Sequence, residues 1–106
     1  MWHVLFRYPC PAHFHMKLSV IGAGQMGTGI AQVAAQIAKI PQIILFDQSE
    51  AQITKQLGKM KESLLKAKAK GSISEEDLVR TLDAIKPTIK LSDLEGSDFI
   101  IEVKNA

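Results

Sequence analysis

The chain has 106 residues, a formal net charge of +2, 46% hydrophobic and 23% charged residues. That is about one small domain, short of the size at which α/β enzymes usually complete an active site. A single cysteine, Cys10, excludes an internal disulfide, and no apolar run approaches the roughly 18 residues of a membrane span. Nucleic-acid binding has little support, because the near-neutral charge offers no basic cluster beyond one helix face. These features read as a protein of the cytoplasm or the mitochondrial matrix, not a secreted one.

Residues 1–15, MWHVLFRYPCPAHFH, read as a leader or tail that the domain does not need. The first acidic residue is Asp47, and a basic, acid-poor start also fits a mitochondrial targeting segment. Pro9 and Pro11 break any amphipathic helix there, which favours plain upstream sequence, with Met16 as the domain's start. Cys10, His13 and His15 have a C-x-x-H-x-H spacing that can bind zinc, but a structural site needs four ligands and His3 is the only other candidate nearby. No metal site is assigned.

Lys17 to Ile21 (KLSVI) is short, apolar and ends at glycine, as a buried parallel strand does. Gln25 to about Ala38 reads as a helix with Ile30, Ala31, Ala34 and Ile37 on one face, and Gly29 as the small residue that lets it approach the sheet. Gln42 to Phe46 (QIILF) is a second apolar strand ending at Asp47, covered on both faces. From Ser49 to about Lys70 the spacing is helical, with Ile53, Leu57, Met60 and Leu64 inward, lysines outward and Gly71 as the stop. Ser74 then opens SEED, a capping-box-like start. Leu78, Val79, Leu82 and Ile85 supply that helix's apolar face, and Pro87 ends it. Thr88 to Leu91 reads as a short strand, Ser92 to Leu94 as a turn of helix, and Phe99 to Val103 as the last strand. Ending near an exposed parallel strand predicts an unpaired edge and marginal stability.

Four glycines crowd VIGAGQMGTGIAQ, residues 20–32. A lone G-x-G-x-x-G is weak evidence, yet here it follows a strand, opens a helix and precedes an acid at the next strand's end. Gly22 allows the tight turn, Gly24 lets backbone approach a pyrophosphate, and Gly27 lets helix and strand pack closely. Asp47, twenty residues beyond Gly27, can accept from ribose hydroxyls and repel a 2'-phosphate, which points to NAD over NADP. The plain alternative is a compact turn with Asp47 capping the following helix; the combined context favours dinucleotide binding. The fold class is α/β, a Rossmann-type doubly wound parallel sheet, incomplete on its C-terminal side, spanning residues 16–106.

KLSVIGAGQMGTGIAQVAAQ, IILFDQSE, KESLLKAKAKGSISEEDL and IKPTIKLSDLEGSDFIIE resemble the NAD-binding domain of the 3-hydroxyacyl-CoA dehydrogenases, including the 3-hydroxybutyryl-CoA dehydrogenases, over about residues 16–102. The resemblance implies oxidation of an acyl-CoA 3-hydroxyl to a ketone with hydride passed to NAD, as in fatty-acid β-oxidation or, in reverse, butyrate-type metabolism. It carries Gly22, Ala23, Gly24, Gln25, Met26 and Gly27 onto the pyrophosphate loop, and Asp47 onto the adenosine ribose. Ser63 and Lys70 fall where family members contact coenzyme A, although Lys66, Lys68 and Lys70 equally fit a solvated helix face.

The departures matter as much. IAKIPQ is longer than the family's turn and has Pro41 but no glycine, so an irregular helix ending is expected. Past the last strand the family continues with a segment like A-V-x-E-N where this chain reads VKNA. The family's later serine, its histidine and glutamate pair and its asparagine have no counterpart; all three histidines here precede Met16. No catalytic residue is assigned, and the expectation is an N-terminal cofactor-binding portion, inactive alone, of a homodimeric enzyme. A non-catalytic nucleotide-binding or interaction module is the alternative from another class. A 3-hydroxyisobutyrate-type dehydrogenase fragment is a further one, which the context of Asp47 and the lysine-rich helix disfavours.

Overall fold

The computed structural model describes residues 16–103, so the expectations for residues 1–15, among them Cys10, His3, His13 and His15, and for the last three residues lie outside the described part. In chain order come β1 (Lys17–Ile21), α1 (Gln25–Gln36), β2 (Gln42–Phe46), α2 (Glu50–Ala69), α3 (Glu75–Ala84), β3 (Ile85–Thr88), a 3-10 turn (Leu91–Leu94) and β4 (Phe99–Glu102). The four strands form one parallel sheet in the order β3-β2-β1-β4. The strand order reverses beside β1, which makes the carboxyl ends of β1 and β4 the place where such sheets open a crevice.

Register divides the two faces. Leu18 aligns with Ile43 and Val20 with Leu45, and this set, with Ile85, enters the main core beneath Ala31, Ala34 and Ala35 of α1, Ile53, Met60 and Leu64 of α2, and Leu78 of α3. The alternate residues Ile44 and Phe46 meet Leu94 in a smaller cluster on the other face, with Ile21 against it. The expected cover on both faces is therefore unequal: three helices on one side, a single 3-10 turn on the other among the described residues. Phe99 and Ile100 of β4 stay 43% and 55% exposed, the apolar edge that the sequence predicts.

Helix ends follow their local chemistry. Ser49 caps α2 by accepting from the Gln52 amide at 3.2 Å, and Gly71 (φ +79) closes it. The Ser72 amide reaches back to the Ala67 carbonyl and the Gly71 amide to the Lys68 carbonyl, the paired bonds of a Schellman ending. α1 stops two residues earlier than expected, at Gln36, and Ile37 is 71% exposed rather than on the inward face. In the glycine-free turn that follows, Lys39 takes a positive φ of 58°, which costs a side-chain-bearing residue about 1–2 kcal/mol.

α3 also ends earlier, at Ala84, and Ile85 begins β3 instead of extending the helix face. Pro87 disfavours helical backbone at Lys86 and removes an N–H; both are tolerated because β3 is the sheet edge, where Pro87 aligns with Leu45. The strand expected over Thr88–Leu91 thus lies three residues earlier. Val79 is 51% exposed while Thr81 is fully buried. β4 is clasped to β1 through Lys17: its amide donates to Asp98 Oδ2 at 2.8 Å, and its Nζ donates to the carbonyls of Asp93 at 2.9 Å and Glu95 at 2.7 Å. That clasp sets where β4 delivers Val103 to the loop after β1.

Candidate functional site

The loop Gly22–Gly24 leaves β1 at the carboxyl edge of the sheet and is held from three sides. The Gly22 amide donates to the Phe46 carbonyl at 2.8 Å, which ties the loop to β2. Gly22 has φ +109, and a Cβ built on it would lie 2.7 Å from the Val103 carbonyl oxygen at the end of β4. Backbone conformation and space therefore both require glycine there. A Cβ on Gly27 would lie 1.7 Å from the Gly22 carbonyl oxygen, so α1 rests directly on the loop's backbone. Gly29, expected to serve that close approach, has nothing within 4 Å of a built Cβ; the packing role belongs to Gly27 alone.

α1 starts at Gly24, its N-cap, with no side-chain cap and no acidic residue in the first turn. The first amides of a helix have no partner within it, and the dipole makes that end positive. Ala23 and Gly24 are buried beneath this end, while Gln25 and Met26 are exposed at its rim. An end so built accepts an anion through backbone donors, and glycine lets the anion come close.

Asp47, at the end of β2, joins this loop. Its Oδ2 accepts from the Ala23 amide at 2.9 Å and its Oδ1 from the Ser49 amide, also at 2.9 Å. The second bond spans two residues, the turn that aspartate side chains make with their own backbone, and DQSE carries that pattern in the sequence. The bond to Ala23 spans 24 residues and has no sequence signal. Neither does the closeness of Val103 to Gly22, since it depends on which strand the topology sets beside β1.

All seven residues expected at the cofactor site, Gly22 to Gly27 and Asp47, thus meet at one edge of the sheet. Ser63 and Lys70 lie elsewhere, Ser63 exposed on the second half of α2 and Lys70 exposed at its C-cap. Seven residues apart, they share one helix face about 10 Å apart along the axis, with Lys66 between them. Among the described residues no group of three or more His, Cys, Asp or Glu could hold a metal ion. No described helix is long and apolar enough to cross a membrane.

Residues 17–104 match the family model of the 3-hydroxyacyl-CoA dehydrogenase NAD-binding domain. A probable 3-hydroxybutyryl-CoA dehydrogenase of Deinococcus radiodurans is 38% identical over 87 residues, which cover 82% of this chain and 30% of that protein. The 3-hydroxybutyryl-CoA dehydrogenase of Mycobacterium tuberculosis is 35% identical over 86 residues, 81% of this chain and 29% of that protein. The crystal structure of 3-hydroxybutyryl-CoA dehydrogenase from Escherichia coli K12 superposes with a TM-score of 0.80 at 31% identity, covering 85% of this chain and 19% of that one. The chain thus spans less than a third of the length of these relatives. Matched over most of its residues, it belongs to the family of 3-hydroxyacyl-CoA dehydrogenase NAD-binding domains.

Proposed function

We propose that this chain is the cofactor-binding portion of an enzyme that oxidises (S)-3-hydroxyacyl-CoA to 3-oxoacyl-CoA, with residues 16–106 as its NAD-binding domain and residues 1–15 as a leader. The observation that carries the reading is the cradle at Gly22 and Gly27, where added Cβ atoms would meet backbone oxygens at 2.7 and 1.7 Å. It leaves a bare-backbone helix start for the pyrophosphate of a dinucleotide. Gly22 to Gly27 hold the pyrophosphate, and the free lone pairs of Asp47 accept from the adenosine ribose. NAD, once bound, supplies the hydride acceptor for C3 of the substrate.

The histidine that takes the hydroxyl proton in this family has no counterpart after Met16, so the chain alone binds cofactor without turning over acyl-CoA. Ser63 and Lys70 take the nucleotide end of coenzyme A, where a lysine suits phosphate. The full enzyme is a homodimer of the cytoplasm or mitochondrial matrix that acts in fatty-acid metabolism. It needs neither nucleic acid nor membrane.

Calorimetry of the purified chain with NAD and NADP tests the cofactor reading. Tighter binding of NAD, by roughly tenfold or about 1.4 kcal/mol, is expected from the Asp47 carboxylate. Equal affinities, or no binding by a folded sample, would overturn it. NAD-dependent oxidation of 3-hydroxybutyryl-CoA by this chain alone would refute the separation of binding from chemistry.

A further inference from the structure

We propose that Asp47 is a positioning residue for the phosphate loop as well as a ribose acceptor: its carboxylate latches the loop into shape before any dinucleotide arrives. This rests on the reading of Gly22–Gly27 as the pyrophosphate site. The observation behind it is that one carboxylate bridges two loops, taking the Ala23 amide on Oδ2 and the Ser49 amide on Oδ1, each at 2.9 Å. Ser49 is the N-cap of α2, so the latch joins the start of α2 to the loop that precedes α1. Hydrogen bonds to an ionised acceptor are shorter and stronger than neutral ones, and this one is half-buried.

The latch supplies the hydrogen bond of the Ala23 amide, while the Ala23 side chain is buried in the main core. Gly22 is already held by the Phe46 carbonyl and Gly27 is packed on Gly22. Ala23 lies between Gly22 and the uncapped Gly24, and the bond from its backbone amide to the Asp47 carboxylate fixes the direction in which the backbone enters α1. A carboxylate has about four lone-pair positions. Two are occupied by amides, which leaves about two for ribose hydroxyls, so latch and ribose contact coexist on one side chain.

A latch and a pure ribose contact predict opposite results for an anion that has no ribose. The probe is inorganic pyrophosphate, titrated into the full chain and followed by amide chemical shifts, with Asp47→Asn and Asp47→Ala beside the native protein. Both variants remove the same negative charge, which by Coulomb's law alone strengthens anion binding equally in the two. Asparagine keeps an oxygen that can accept from Ala23; alanine keeps none. The latch predicts that Asp47→Ala binds pyrophosphate about tenfold more weakly than Asp47→Asn, as expected if the competent loop falls to about a tenth of the population. Equal affinities in the two variants overturn it.

Hydrogen exchange of the Ala23 amide without ligand separates this from the site reading itself. If no form binds pyrophosphate, the anion site fails, yet the latch stands when Ala23 exchange rises at least tenfold from Asp47→Asn to Asp47→Ala. Unchanged Ala23 exchange removes the latch whatever pyrophosphate does. Should Asp47→Ala fail to fold, the native protein against Asp47→Asn decides by the same exchange: Ala23 as protected in both as its hydrogen-bonded neighbours supports the latch, and Ala23 unprotected in the native protein overturns it.

Discussion

α1 and α3 begin in opposite ways. α3 starts behind Ser74, whose hydroxyl oxygen accepts from the Asp77 amide at 3.1 Å, and its first turn carries Glu75, Glu76 and Asp77. α1 starts behind a glycine, with no side-chain cap and no acid. A helix start is a place of unsatisfied donors and partial positive charge. At α3 the chain meets that need from its own side chains, which stabilises the fold and leaves nothing for a ligand. At α1 the need is left open, bare backbone surrounds it, and Asp47 braces the loop beside it. One physical feature serves stability at α3 and, under the proposed function, binding at α1.

The comparison breaks most completely at Gly27. A methyl group there meets the Gly22 carbonyl at 1.7 Å, so Gly27→Ala must push α1 off the loop. A loss of about 3 kcal/mol in denaturant unfolding is expected, at the upper end of overpacking costs, together with loss of NAD binding in calorimetry. Gly29→Ala, two residues along the same helix, meets open space and is expected to gain about 0.5–1 kcal/mol with NAD affinity unchanged. Two glycines of one helix then part company, one required by packing and the other incidental.

Charge gives the next test. Gln25→Glu gives α1 the acid that α3 already has, on the exposed rim of the candidate site. Unfolding free energy should hold or rise by about 0.5 kcal/mol from the dipole, while NAD affinity falls by about tenfold through repulsion of the pyrophosphate. The reciprocal change, Glu75→Gln, should lower stability by about 0.5 kcal/mol and leave NAD affinity alone. If both changes alter affinity, or neither does, the two helix starts are not functionally distinct.

Capping comes third. Ser74→Ala removes the oxygen that satisfies the Asp77 amide, and a loss of about 1 kcal/mol is expected in denaturant melts, again with unchanged NAD binding. α1 has no side-chain cap to lose, so its stability rests on Gly27 packing and on Ala31, Ala34 and Ala35 beneath it.

Legibility in the sequence tracks how local each cause is. KLSVI and QIILF could be read as strands, Ser74 as a helix cap and Gly71 as a stop, because each depends on neighbours within a few residues. The ends of α1 and α3 were less legible: Ile37 and Ile85 have the right spacing for a helix face, but a positive φ at Lys39 and an edge strand that tolerates Pro87 redirect the chain. The motif assigns close packing to Gly27, but that Gly29 does not share the role needed the placement of Gly22 beneath α1. The Ala23–Asp47 bond and the Val103–Gly22 approach needed the sheet order itself. The site's residue types were therefore readable from the motif and its flanking strands, while its internal bracing was not.

The smallest effect lies in the pH dependence of the α3 start. Hydrogen bonding from Ser74, aided by the nearby Arg80 guanidinium, holds the Asp77 carboxyl below its ordinary value of 3.8, and Arg80 Nη2 approaches Asp77 Oδ1 at 3.1 Å. A carboxyl whose folded pKa is depressed binds protons more readily when unfolded. Its contribution is therefore complete above the unfolded value and is lost as pH falls through the folded one. Stability measured downward from about pH 5 should decline more in the native protein than in Asp77→Asn, with the difference concentrated below pH 3.8. Because Asp77 is at the surface, about 0.1 M salt should shrink that difference. Neither the acid limb nor its salt dependence should change NAD affinity at neutral pH, where the acids of α3 neutralise their own helix start and the start of α1 stays available to a ligand.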